Sequence, residues 1–239
     1  MNILIVHYNT PDITECLVKS INKHCQNANI FIFDNSDKLP FTNKNLSNVT
    51  LLDNTKQQII KFNTHQGASI RHMLSVEKCF SLINDDFILL DSDTIVKKDL
   101  SSLVDETCIF KSSIINESRG RYKKATRITP WCCYINVLLC KENDIHFYYS
   151  NYIYTQDEGN FDTGAAFYKF AKEYKHEIIN VNEYINHLNC GSWFDKAKNM
   201  GYKFKIEKNE FLSLNKPFYT EELNDSEGVN IIDNITLIS

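Results

Sequence analysis

The amino-acid sequence predicts an α/β protein, a sheet of short strands flanked by helices. Three observations carry that expectation. Short apolar runs rich in β-branched and aromatic residues alternate with helical patterns along the chain. Several of these runs end in small polar clusters, as strands do where they emerge at one edge of a sheet. At 239 residues the chain fits one α/β domain, large enough to bury a core without disulfide or metal staples.

The elements follow in order. Residues 3–6 read as a buried first strand. Asp12 is placed to cap a helix in which Ile13, Cys16, Leu17 and Ile21 share one face, with Glu15 at the capping-box position. Residues 30–33 form the second strand, ending at Asp34-Asn35-Ser36, and a polar loop leads to a third short strand over 49–52. A second helix begins near Ala68 and gathers Met73, Val76, Phe80 and Ile83 on one face. Residues 87–90 read as the central buried strand, with Asp91-Ser92-Asp93 at its carboxyl end. Beyond it the pattern predicts a strand over 134–140, a helix over 164–174, a strand over 178–181 and a helix over 192–200. Residues 142–161, rich in Tyr, Asn and Asp, read as loop. The chain divides into halves at about 1–95 and 96–215 within a single domain spanning 1–239, with a tail over 216–239.

Composition excludes some function classes. The net charge of −4 and pI near 6.0 argue against a nucleic-acid binder, which shows a basic face. Arg119-Gly120-Arg121-Tyr122-Lys123-Lys124 is the one concentrated basic stretch. No apolar run approaches the roughly 20 residues that span a bilayer, and the apolar N-terminus lacks a basic leader. The expected compartment is therefore the cytoplasm, with peripheral contact at the inner membrane face left open. None of the eight cysteines forms a C-x-x-C pair and most sit in apolar stretches, so reduced core thiols are expected.

Chemistry is expected where open α/β sheets bind ligands, beyond the carboxyl ends of their strands. Three such ends carry polar clusters: His7-Tyr8-Asn9-Thr10, Asp34-Asn35-Ser36 and Asp91-Ser92-Asp93. An Asp-x-Asp triplet occurs often as a solvated turn. Directly after a buried strand, however, its two carboxylates emerge together, where hard oxygen ligands suit Mg²⁺ or Mn²⁺ holding a diphosphate.

Taken in order, these segments resemble the family 2 glycosyltransferases over roughly residues 2–195. The opening strand with Tyr8-Asn9 is similar to that family's first strand and nucleotide loop. Phe31-Ile32-Phe33-Asp34-Asn35-Ser36 resembles the strand whose Asp contacts the base or ribose. Asn63-Thr64-His65-Gln66-Gly67-Ala68-Ser69-Ile70-Arg71 is similar to the segment packed beside the donor, and Ile88-Leu89-Leu90-Asp91-Ser92-Asp93 matches the metal-binding motif. Asn160-Phe161-Asp162-Thr163-Gly164 stands where the family carries an acidic catalytic motif, here without its Glu-Asp pair. Asn186-His187-Leu188-Asn189-Cys190-Gly191-Ser192 resembles a late His-containing loop that approaches the diphosphate or metal.

The resemblance implies a GT-A (Rossmann-like) fold with a mixed, mainly parallel sheet, and a metal-dependent, inverting hexosyl transfer from a nucleotide-diphospho-sugar to a hydroxyl. A UDP-sugar donor, Mn²⁺ or Mg²⁺, and a carbohydrate or lipid-linked acceptor of surface polysaccharide or glycolipid synthesis are implied with it. Tyr8, Asn9, Asp34, Asn35, Gly67, Arg71, Asp91 and Ser92 would hold the donor; Asp91, Asp93 and His187 would hold the metal. Asp162 would be the general base, with Asp157 and Glu158 as alternatives. Each has a structural reading beside it: Asp34 caps a turn, Gly67 permits a positive φ, Arg71 is a surface helix residue, Asp162 caps a helix, and His187 is a bonded loop histidine. Trp131 and Trp193 read as core or as acceptor wall. A sugar-nucleotide pyrophosphorylase is the nearest alternative, disfavoured because His7-Tyr8-Asn9-Thr10-Pro11 has no glycine. A catalytically silent sugar-binding protein of the same fold is the other.

Overall fold

The computed structural model describes residues 1–36, 38–42, 46–52, 67–116, 118–119, 122–123, 125–152, 154–155, 159–188, 203–204 and 237–238. In chain order these form β1 (Asn2–His7), α1 (Pro11–His24), β2 (Asn29–Asp34), β3 (Val49–Leu52), α2 (Gly67–Leu82), β4 (Phe87–Asp91), β5 (Thr94–Val96) and β6 (Phe110–Ile115). A two-residue hairpin, β7 (Ser118–Arg119) with β8 (Tyr122–Lys123), precedes β9 (Arg127–Ile135) and α3 (Val137–Glu142). A second hairpin, β10 (Tyr154–Thr155) with β11 (Gly159–Asn160), leads to α4 (Ala165–Ala171), β12 (Glu177–Ile178) and β13 (Ile185–His187).

Seven strands make the main sheet, in the order β12-β6-β9-β4-β1-β2-β3. β3, β2, β1 and β4 run parallel, while β9 is antiparallel to both β4 and β6. The sheet is thus mixed and mainly parallel, with β4 at its centre. β1 and β4 read as unbroken apolar runs because both faces of the sheet are covered. Ile3, Ile5, Ile88 and Leu90 point to the α1 side, with Leu17, Val18 and Ile21. Leu4, Val6, Phe87 and Leu89 point to the α2 side, with Met73, Val76, Phe80 and Ile83.

Local chemistry corrects several expectations. Pro11, which has no N–H to leave unsatisfied, takes the first helical position of α1, so the helix starts two residues earlier than an Asp12 cap would allow. Thr10 is the N-cap without a side-chain capping bond, and Glu15 pairs with Lys19 at 3.2 Å. The strand expected over 134–140 is the end of β9 followed by α3. Asn136 accepts the Leu139 N–H at 2.9 Å and starts a helix that an apolar run alone does not reveal. The helix expected over 164–174 is the shorter α4, which Gly164 enters with φ of +85°. A Cβ at Gly164 would stand 2.7 Å from the Ile128 side chain, so glycine is required there for space as well as for φ. The strand expected over 178–181 ends at Ile178, and Asn180 caps a 3-10 turn over Val181–Glu183. β5, β6 and β13 were not foreseen, and the helix expected over 192–200 lies outside the described residues. The seven described cysteines are buried thiols outside any disulfide, and burial pushes the Cys132 thiol up to about 12.

Candidate functional site

The site is built where β4 leaves the sheet. Asp91 is its last residue, Ser92 and Asp93 turn the chain, and β5 carries it away. β5 pairs antiparallel with β13, which sets His187 opposite Thr94 and so beside Asp93. The Leu188 N–H donates to the Asp93 carbonyl at 2.8 Å and fastens the end of β13 to the turn. Sequence distance is erased by that one pairing: His187 Nε2 lies 3.2 Å from Asp93 Oδ1, with Asp93 buried and His187 partly so.

Donor atoms of Asp91, Asp93 and His187 all lie within 4.8 Å of one another. Octahedral coordination with bonds of about 2.1 Å puts neighbouring donors about 3.0 Å apart and opposite ones about 4.2 Å. A small inward adjustment would bring all three side chains onto one small divalent cation, which leaves the second oxygen of Asp91 in need of its own donor. The mixed set of two carboxylates and one imidazole suits Mn²⁺ and also admits Mg²⁺.

The support around this cluster was only partly foreseen. The Trp131 indole stacks on the His187 ring, 4.6 Å between centroids and 8° between planes, which fixes the orientation of the imidazole. The Arg127 guanidinium lies 5.6 Å from the Trp131 ring centre and 3.5 Å from Asp162 Oδ2. Asp162 Oδ1 accepts from Ser69 Oγ at 2.6 Å and from the Thr163 N–H at 2.8 Å. One turn along α2, His72 Nε2 approaches Asp91 Oδ1 at 3.0 Å. Residues three apart on a helix share a face with Cβ atoms about 5–6 Å apart. Ser69 and His72 therefore set Asp162 and Asp91 along one face of α2.

The architecture matches solved sugar-transferring enzymes. No protein-family model matches the chain, and no curated protein matches it in sequence. Among solved structures, the galactosyltransferase LgtC in complex with donor and acceptor sugar analogues superposes with a TM-score of 0.51 at 16% identity, covering 76% of this chain and 74% of that one. The glycosyltransferase GlyE of Streptococcus pneumoniae TIGR4 superposes with a TM-score of 0.53 at 14% identity, covering 84% of this chain and 49% of that one. The fold is GT-A-like. This chain spans about half the length of GlyE, and identities this low speak to fold alone.

In a GT-A-like frame the remaining candidates fall at the carboxyl ends of β1 and β2. Asn9 adopts φ of 53°, and its side-chain oxygen accepts the N–H groups of Lys38 and Leu39, both at 2.9 Å. Asp34 accepts the Ser36 N–H at 2.9 Å and the Phe41 N–H at 2.8 Å, one on each oxygen. The turn-capping role considered for Asp34 is therefore present. His7 is fully buried, bonded to Thr14 Oγ1 at 2.8 Å and to the Leu39 carbonyl at 3.1 Å; burial lowers its pKa and keeps it structural. Tyr8 and Asn35 lie in the same loops, half-exposed, and Ser92 is buried in the turn between the two aspartates. Gly67 is the first residue of α2, and Arg71 lies on that helix with a buried Nε that has no partner among the described residues. Asp157, Glu158 and Trp193 lie outside the described residues.

Proposed function

We propose that this chain is a glycosyltransferase that moves a hexosyl group from a nucleoside-diphosphate sugar, UDP-linked in the first instance, to a hydroxyl acceptor. The observation that carries the reading is the convergence of Asp91, Asp93 and His187 at the carboxyl end of the central strand of a GT-A-like sheet. Their donor set would hold Mn²⁺ or Mg²⁺, which neutralises charge developing on a departing diphosphate. Asp34, Asn9 and Tyr8 line the neighbouring strand ends and would hold the nucleoside, and Arg71 offers a guanidinium to the phosphates. The family 2 assignment rests on the ordered motifs, and a carbohydrate or lipid-linked acceptor goes with it.

Asp162 is the proposed base. Two hydrogen bonds and the Arg127 contact orient its carboxylate. A single carboxylate taking the acceptor proton during one displacement inverts the anomeric carbon, and the anomer of the product, read by NMR, tests that step.

The overall reading is tested by donor turnover. Slow release of UDP from a panel of UDP-sugars is expected with Mn²⁺ and not with EDTA. Asp93→Asn, which keeps the shape and removes the charge, is expected to abolish it. Undiminished release by Asp93→Asn would overturn the assignment. A silent sugar-binding module would release nothing under any condition.

A further inference from the structure

We infer that His72 is a positioning residue that sets the carboxylate of Asp91 for cation binding. The inference rests on the reading of Asp91 as a cation ligand. His72 Nε2 lies 3.0 Å from Asp91 Oδ1, and the two side chains are only 19% and 23% exposed. The approach is close in distance but off the line of a hydrogen bond, so Asp91 Oδ1 and both ring nitrogens of His72 have no hydrogen-bond partner among the described residues. A shielded carboxylate oxygen facing a shielded imidazole at that distance is completed by a small rotation of either side chain.

The need for such a donor follows from the cluster. With one oxygen of Asp91 offered to an ion, the other still requires a donor, and a buried oxygen left without one is unfavourable. His72 supplies an N–H from a rigid element: Met73 and Val76 bury the adjoining face of α2 in the core. Groups that orient ligating side chains in this way raise metal affinity by fixing the ligand before the metal arrives. The other ligands have supports of their own, Trp131 stacked on His187 and the Leu188 N–H on the Asp93 carbonyl. His72 completes the set for Asp91.

Mn²⁺ alone is the probe, with free Mn²⁺ read by electron paramagnetic resonance and melting followed in EDTA. His72→Leu, similar in bulk and without a donor, is expected to weaken Mn²⁺ binding by about 10- to 100-fold while melting in EDTA as the wild type does. His72→Gln, whose amide N–H reaches the same oxygen, is expected to recover most of the loss. His72→Leu binding as wild type does, while Asp93→Asn has lost the ion, overturns the role of His72 and leaves the cation site standing. No Mn²⁺ binding by the wild type overturns both. Failure of His72→Gln to recover affinity reduces His72 to a space-filling role and overturns the inference. Should His72→Leu not fold, His72→Gln is compared with His72→Asn, whose shorter amide falls short of Asp91. Equal affinity of those two overturns the inference as well.

Discussion

Replacing Asp162 by Asn is expected to perturb both stability and transfer, and the geometry sets the size of each. Arg127 is 9% exposed, and its guanidinium lies 3.5 Å from Asp162 Oδ2. At an effective dielectric constant near 20 the attraction at that distance is about 5 kcal/mol before desolvation is subtracted. Stripping one partner from a buried pair costs about 3–5 kcal/mol, and from an exposed pair under about 1 kcal/mol. Asp162 keeps 21% of its side chain exposed, which puts the pair between these limits. A cost of about 2 kcal/mol is expected, a fall in Tm of roughly 4–8 °C for a chain of this size. The Ser69 and Thr163 bonds to Oδ1 survive in the Asn variant, so the loss reports charge and not capping. The assay is a double-mutant cycle of Asp162→Asn and Arg127→Met by thermal melting, with transfer measured well below both transitions. A coupling of about 1–2 kcal/mol is expected, together with a drop in transfer of at least about 100-fold in Asp162→Asn if the carboxylate takes the proton. Melting of Asp162→Asn within a degree of wild type would refute the pairing, and unchanged transfer would move the base to another residue, with Asp157 and Glu158 next.

Other outcomes follow from single contacts. Asp34→Ala leaves the Ser36 and Phe41 N–H groups without their acceptor and is expected to cost about 1–3 kcal/mol, read as a lower urea midpoint, with Asp34→Asn recovering part of it. Gly164→Ala is expected to cost about 1–3 kcal/mol, because alanine disfavours φ of +85° and its Cβ meets Ile128. For His146, burial lowers the pKa, but hydrogen bonds to Glu77 and Asp144 outweigh it and the net value is raised above 6.5. Its stabilising contribution is therefore complete below the ordinary histidine range and fades as pH climbs through the raised value. The melting difference between wild type and His146→Asn should shrink accordingly from mildly acidic to alkaline pH.

The parallel half of the sheet was legible because each strand there is a short apolar run ending in a polar cluster, from Ile3 through Leu90. Asp91 and Asp93 were legible as a pair because they follow a buried strand, and His187 was singled out in a segment read as a late loop, although it closes β13. What brings them together, the pairing of β5 with β13, was not: three-residue strands such as Thr94–Val96 carry too little pattern to register. α3 was hidden because a six-residue apolar run fits strand and helix alike, and only Asn136 marks the cap. Ser69, His72, Arg127 and Trp131 escaped because their roles arise from tertiary approach. The available hint was a charged residue, Arg127, at the head of a strand-like run, where burial demands a partner. Asp34 and Asn9 show the reverse case: strand-end polar residues read first as ligand contacts also hold their own loops by backbone hydrogen bonds.

The most direct test of a cation-assisted nucleotide site is the melting of the wild type with UDP in Mn²⁺ against UDP in EDTA. Linkage sets the size: at a ligand concentration about 100 times Kd the gain is about 2.7 kcal/mol, or roughly 5–11 °C here. That shift is expected with Mn²⁺, greatly reduced in EDTA, and absent in Asp93→Asn under both conditions. An equal shift with and without the metal, or none at millimolar UDP with Mn²⁺ present, would contradict the account.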